Sequence, residues 1–152
     1  MVESGRKKMF FGTYEHTLDD KGRLVIPSKM REEAGPVVYI MKGFDGSLSI
    51  YKALEFERLV KKFNSLSFNH KESRDYLRVQ LASTCELDVD KQGRIQLPSQ
   101  LLKKYKIGKE VVVIGAGDHM EVWNKAEFLE YETNADKDFE KNAENLSKDE
   151  IL

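Results

Sequence analysis

The stretch LDDKGRLVIPS, Leu18 to Ser28, decides the fold, because the chain writes it again 71 positions later as VDKQGRIQLPS, Val89 to Ser99. The repeat pairs Asp19 with Asp90, Gly22 with Gly93, Arg23 with Arg94, Leu24 with Ile95, Ile26 with Leu97, Pro27 with Pro98 and Ser28 with Ser99. With one residue inserted, the register continues at an offset of 72, pairing Gly43 with Gly115, Ile50 with Val122, Tyr51 with Trp123 and Phe56 with Phe128. The duplication thus covers residues 13–55 and 84–127, separated by a connector over 56–83 and followed by an acidic helical tail over 128–152. A cassette written twice is a structural unit first.

Each copy reads as strand, turn, strand, short helix, strand, turn, strand. Tyr14, His16 and Leu18 alternate toward one face, and Leu24 and Ile26 resume the alternation after the turn. Gly22 and Gly93 stand where a tight hairpin needs a residue tolerant of positive φ. Pro27 and Pro98 stop the strands, and Ser28 and Ser99 are predicted N-caps of short helices that end at Gly35 and Gly108. A lone unit of about 43 residues lies near the size at which a domain buries too little surface to be stable. Two such units remedy this by completing each other's sheet about a pseudo-two-fold axis. The predicted fold class is α+β and β-rich: two halves forming one pseudo-two-fold barrel, with a helical hairpin between them and a C-terminal helix. In the connector, Phe56, Leu59, Val60 and Phe63 form one helical stripe, and Tyr76, Leu77, Val79 and Leu81 are the apolar positions of a second helix. Ordinary core packing is their expected role, with a share left for contacts with a neighbouring subunit.

Composition bounds the function. At 152 residues and 17.6 kDa, with 40% hydrophobic residues, the chain fits one compact domain or two small, intimately joined ones. Its apolar runs, such as VVYIM (37–41) and VVVIGAG (111–117), fall far short of the roughly 18 residues that span a bilayer. No signal-peptide core opens the sequence, so a soluble, cytoplasmic protein is expected. The segment MVESGRKK before Met9 reads as a disordered basic arm or an appended extension, with Met9 an alternative start. Cys85 is the single cysteine and reads as a small strand residue. His16, His70 and His119 lack the spacing of a zinc site. No metal, cofactor or small-molecule substrate is expected.

Net charge is -1 and the pI about 6.3, which taken alone argues against nucleic acid. The distribution says otherwise. Residues 127–152 carry nine acids and three bases, leaving 22 bases and 17 acids on residues 1–126. An acidic tail masks a body with a net charge of +5.

Asp and Arg four apart across a hairpin can hold each other, Asp19 with Arg23 and Asp90 with Arg94. An exposed ion pair is worth roughly 0 to 1 kcal/mol, too little to account for the whole cassette by stability. Pre-ordering a guanidinium lowers the entropy cost of presenting it, and its planar fork suits phosphate or a guanine edge. Lys21 beside Arg23 and Lys91 beside Arg94 extend the positive edge. From chemistry alone, structural turn and anion-binding turn both stay open.

The two cassettes, their spacing, the helical segment between them and the opening MFFGTYEHTLDDKGRLVIPSKMRE (9–32) resemble the MraZ family, bacterial regulators built from two SpoVT-AbrB type, swapped-hairpin domains. The resemblance covers nearly all of residues 9–144. It implies a DNA-binding transcription factor, usually a repressor of the division and cell-wall gene cluster. Such a protein would assemble into a ring of about eight subunits, associate with the nucleoid and bind short G-containing direct repeats. The family's motif falls on Asp19 and Arg23 and on Asp90 and Arg94, and Lys21 becomes a DNA contact. Gln92 opposite Lys21 and Lys91 opposite Asp20 depart from the first copy and weaken the assignment of Lys91. The site therefore comprises Lys21, Arg23, Lys91 and Arg94 as DNA-binding residues, braced by Asp19, Gly22, Asp90 and Gly93. Rival readings are an antitoxin-like protein or a protein-binding regulator acting through the acidic tail, and, weakest, an enzyme. Asp19 and Asp20 are adjacent on a turn with no Ser, Cys or His placed beside them, and neither a P-loop nor GxGxxG occurs.

Overall fold

A computed structural model describes residues 9–152, so the MVESGRKK segment lies outside the described residues. The first half runs β1 (Thr13–Thr17), β2 (Arg23–Val25), α1 (Ser28–Ala34), β3 (Val37–Lys42), β4 (Leu48–Lys52) and α2 (Ala53–Asn64). After α3 (Lys71–Ala82) the second half repeats the order as β5 (Cys85–Asp88), β6 (Arg94–Gln96), α4 (Ser99–Lys104), β7 (Glu110–Gly115), β8 (Met120–Asn124) and α5 (Lys125–Lys137). A last helix, α6, spans Phe139–Lys148. The class is α+β, as the repeat predicts.

Six strands form one antiparallel sheet in the order β1-β7-β8-β4-β3-β5, and β2 pairs β6 as a separate ribbon. Exchanging the halves reverses the sheet order onto itself, so a pseudo-two-fold axis passes between β8 and β4 and through the ribbon. There Leu24 faces its own counterpart Ile95. Each half lends its first strand to the other: β1 pairs β7, and β5 pairs β3. The core follows from this exchange. Leu24, Ile26, Ile95 and Leu97 from the ribbon side pack in one buried cluster with Val38, Ile40, Leu48, Ile50, Val111, Val113, Met120 and Val122 from the sheet. Alternation along each strand sends these residues to the common face.

Four local expectations are corrected. Tyr14 and Cys85, which are 71 apart, lie opposite Val113 and Ile40, which are 73 apart. Two residues are therefore added before β7 and one is removed in the β7–β8 hairpin, so Gly115 corresponds to Lys42 rather than to Gly43. Ser28 and Ser99 are the first helical residues, not the caps; Pro27 and Pro98 hold the extended cap positions, and no side chain caps either helix. A proline with φ fixed near -60° makes the strand-to-helix change by itself. The helix α4 stops at Lys104, well before Gly108: Lys106 takes φ 56°, Ile107 N–H donates to Leu102 O at 2.8 Å and Lys106 N–H to Lys103 O at 3.3 Å. That is a Schellman ending with lysine in the left-handed position. Finally, α3 buries Leu77 and Gln80, while Tyr76, Val79 and Leu81 are exposed. Gln80 is drawn inward because its Nε2 donates to Lys42 O at 2.8 Å. The connector helices touch where Phe63 meets Tyr76 edge-on at 5.9 Å.

The tail holds two helices rather than one. Asp138 N–H donates to Ala135 O at 3.1 Å, ending α5, and Asp138 O accepts from Asn142 N–H at 2.8 Å, starting α6. Trp123 and Phe128 pack with Val112 on the far face of the sheet. Beside them His119 is held between Asp118 (Nδ1 to Oδ1 2.7 Å) and Glu121 (Nε2 to Oε2 3.2 Å) and stacks on Tyr51 at 5.0 Å. Burial opposes charge on this imidazole, but the two carboxylates outweigh it and raise its pKa, while the carboxyl of Glu121, also opposed by burial, is lowered by His119 and Trp123. The sign follows. The His119 contribution is complete below its ordinary value of 6.5 and is lost as pH rises through the raised value; that of Glu121 is lost as pH falls through its lowered value. Denaturant melts from pH 4 to 9 should therefore show His119→Gln flattening the alkaline decline in stability seen in the wild type. No helix among the described residues is long and apolar enough to cross a membrane.

Candidate nucleic-acid interface

Both turns are built from the same bonds. Asp19 Oδ1 accepts the backbone N–H groups of Lys21 and Arg23, each at 2.9 Å, and Oδ2 accepts Arg23 Nε at 2.6 Å. Asp90 repeats this with Gln92 N–H at 2.9 Å, Arg94 N–H at 2.8 Å and Arg94 Nε at 2.8 Å. The backbone N–H of the arginine is the foremost cause holding each carboxyl below its ordinary pKa, with the guanidinium adding to it against desolvation. One carboxylate thus organises a turn and an arginine together. Each turn is also locked to the other half: Gly93 O accepts Ile26 N–H at 2.8 Å, and Gly22 O accepts Leu97 N–H at 3.2 Å.

Gly22 and Gly93 have φ of 77° and 76°, so both need the left-handed freedom expected of them. Their surroundings differ. A Cβ on Gly22 would find its nearest neighbour at 3.5 Å, whereas one on Gly93 would stand 2.6 Å from Arg31 Cδ. Gly22→Ala should cost about 1–2 kcal/mol through backbone strain alone, and Gly93→Ala more, because Arg31 must move. Urea unfolding of the two variants checks the order.

The arginines share one face. Leu24 and Ile95 point into the core, so alternation turns Arg23, Val25, Arg94 and Gln96 outward. Arg23 lies opposite Gln96, and Arg94 opposite Val25, which sets the backbone positions of the two arginines on a diagonal, about 7–8 Å apart in an antiparallel pair. Their side chains are 30% and 27% exposed, neither buried nor free to wander. Among the described residues their Nη atoms make no hydrogen bond, so each guanidinium is fixed through Nε with its outer edge available. Lys21, Lys91 and Gln92 are exposed at the turn tips. Three neighbours escape a reading of the cassette alone. Gln96 Nε2 donates to Lys21 O, Lys109 Nζ reaches Asp20 Oδ1 at 3.0 Å, and Arg31 lies over Gly93. Lys109 and Arg31 stand outside the repeated eleven residues, and only the exchange of strands brings them there. No group of three or more His, Cys, Asp and Glu residues able to hold a metal occurs among the described residues.

A family model described as "MraZ protein, putative antitoxin-like" matches the chain twice, over residues 9–79 and 81–150. The chain belongs to the MraZ family. The two MraZ matches meet within α3. The protein is 42% identical over 138 residues to the transcriptional regulator MraZ of Caldanaerobacter subterraneus subsp. tengcongensis, a match covering 91% of this chain and 96% of that protein. It is likewise 42% identical over 139 residues to the transcriptional regulator MraZ of Mesoplasma florum, covering 91% and 95%. A third, from Thermoanaerobacter pseudethanolicus, is 40% identical over 140 residues, covering 92% and 98%. These MraZ relatives are named as regulators of transcription, not as enzymes.

Proposed function

We propose that the protein is a sequence-specific DNA-binding transcriptional regulator, a repressor of the division and cell-wall gene cluster, working at short G-containing direct repeats as a ring of about eight subunits. Residues 13–55 and 84–127 are the two halves of its DNA-binding unit, 56–83 the connector and 128–152 the tail, and it acts in the cytoplasm on the nucleoid. The observation that carries this reading is the ribbon: two guanidinia, each braced by its own carboxylate, on one outward face of two antiparallel strands. A two-stranded ribbon fits the major groove, where arginine bonds guanine O6 and N7. The diagonal of about 7–8 Å is close to two base steps of about 3.4 Å. Arg23 and Arg94 read guanine; Lys21 and Lys91 meet phosphate.

A body with a net charge of +5 makes few phosphate contacts and binds weakly alone. Neighbours engaging successive repeats make later contacts intramolecular, so avidity supplies the affinity. Titration of a labelled duplex carrying the promoter repeats against a scrambled duplex, at matched salt, tests this. The repeats should bind more tightly; equal weak binding of both would reject sequence-specific recognition.

A second reading, partner binding through the acidic tail, is favoured by α6, which buries none of its residues and exposes Phe139 and Leu146. Deleting the chain after Tyr131 separates the two, since it leaves the ribbon intact.

A further inference from the structure

The two turns are built alike but covered differently. At the 71-residue offset the counterpart of Arg31 is Leu102, and each lies against the turn of the other half: Leu102 beside Gly22, Arg31 across Gly93. Beside the first turn a groove of about 440 Å³ remains, lined by Leu18, Asp20, Lys21, Leu97, Leu102 and Lys109. At the second turn a guanidinium covers the glycine. Arg31 Nε donates to Ile26 O at 3.0 Å, and Ile26 N–H donates to Gly93 O at 2.8 Å, so the head is tied to the ribbon through one residue. The side chain is exposed, and among the described residues it has no carboxylate partner. Arg23, Arg94 and Arg31 are thus all held through Nε. Two have their charge offset by an aspartate; Arg31 does not.

We infer that Arg31 is a phosphate-binding residue of the same DNA face, lent by the first half to the second turn. The inference rests on the reading of the ribbon as the DNA-binding element. Arg31 stands on α1 rather than at an outward ribbon position, so it meets the backbone beside the groove and positions the protein without reading bases. Its fork suits a phosphate, and its fixed Nε lowers the entropy lost on binding. This breaks the symmetry of the reading head. A perfect two-fold ribbon would favour a palindrome; with Arg31 on one side and Leu102 on the other, and Gln96 facing Arg23 where Val25 faces Arg94, each subunit has one preferred direction on the duplex. Direct repeats require that.

The test uses the internal control. Arg31→Leu gives the second turn the cover that the first already tolerates, and Arg31→Gln keeps a donor without the charge. Both should weaken binding to repeat and scrambled duplexes by the same factor, and should make the slope of log K against log salt shallower by about 0.9 per engaged subunit. Leu102→Arg should steepen it by a similar amount. An unchanged slope in folded Arg31 variants, or a loss confined to the repeat duplex, overturns the inference. If Arg94→Ala loses binding while the Arg31 variants do not, Arg31 alone is misassigned. If wild type binds no better than an Arg23→Ala/Arg94→Ala double variant, the reading of the ribbon itself fails.

Discussion

Replacing Arg23 and Arg94 together by alanine should abolish the proposed discrimination between the promoter repeats and scrambled DNA while leaving the fold intact. Each good bidentate contact to guanine is worth roughly 1–3 kcal/mol, so the pair accounts for about 2–6 kcal/mol, or at least tenfold in affinity at the 1.4 kcal/mol per decade of binding equilibria. The fold survives because neither side chain contributes to the buried cluster and each ion pair is part-exposed, where such pairs add little. The aspartates keep their turn bonds to backbone N–H groups of Lys21, Arg23, Gln92 and Arg94. Anisotropy titrations and melting curves of the double variant check both parts. Retained preference for the repeats would place the reading head elsewhere.

The second large effect concerns the halves. Of the six strand pairings among the described residues, four join one half to the other, and only β3–β4 and β7–β8 lie within a half. A fragment of residues 9–82 keeps one hairpin and three helices, and a single hairpin is marginal at best in water. Val38, Ile40, Leu48 and Ile50, each completely buried in the whole chain, lose Val111, Val113, Met120 and Val122 as neighbours. At about 1.5–3 kcal/mol for each aliphatic side chain returned to water, the loss is comparable to the roughly 5–15 kcal/mol by which a domain is stable. The fragment should therefore be unfolded as a monomer, or pair with a second copy in place of the missing half. Mixing it with residues 83–152 should restore the wild-type circular dichroism spectrum. A monomeric fragment that melts cooperatively would contradict the exchange of strands.

The repeat made the architecture legible because duplication and alternation are periodic signals. Leu24, Ile26, Ile95 and Leu97 lie in the core as their spacing requires, and Gly22 and Gly93 take the positive φ that a tight turn demands. The misreadings arise where tertiary packing overrides a local preference. Gly108 looks like a helix end, but the Schellman bonds close at Lys106 because Ile107 must turn into the core. Val79 and Leu81 look like core positions, yet the buried face of α3 is set by Leu77 and the Gln80 bond to Lys42. Arg31 and Lys109 join the turns only through strand exchange, which no local pattern reveals.

If the ribbon arginines grip guanine edges, removing either the guanidinia or the guanine N7 atoms should remove the same contact. Replacing the guanines of the repeats by 7-deazaguanine removes N7 alone and can be combined with Arg23→Ala/Arg94→Ala in a double-mutant cycle. The substitution should weaken wild-type binding and have no further effect on the arginine variant. An equal loss in both proteins would show that the arginines do not contact those bases.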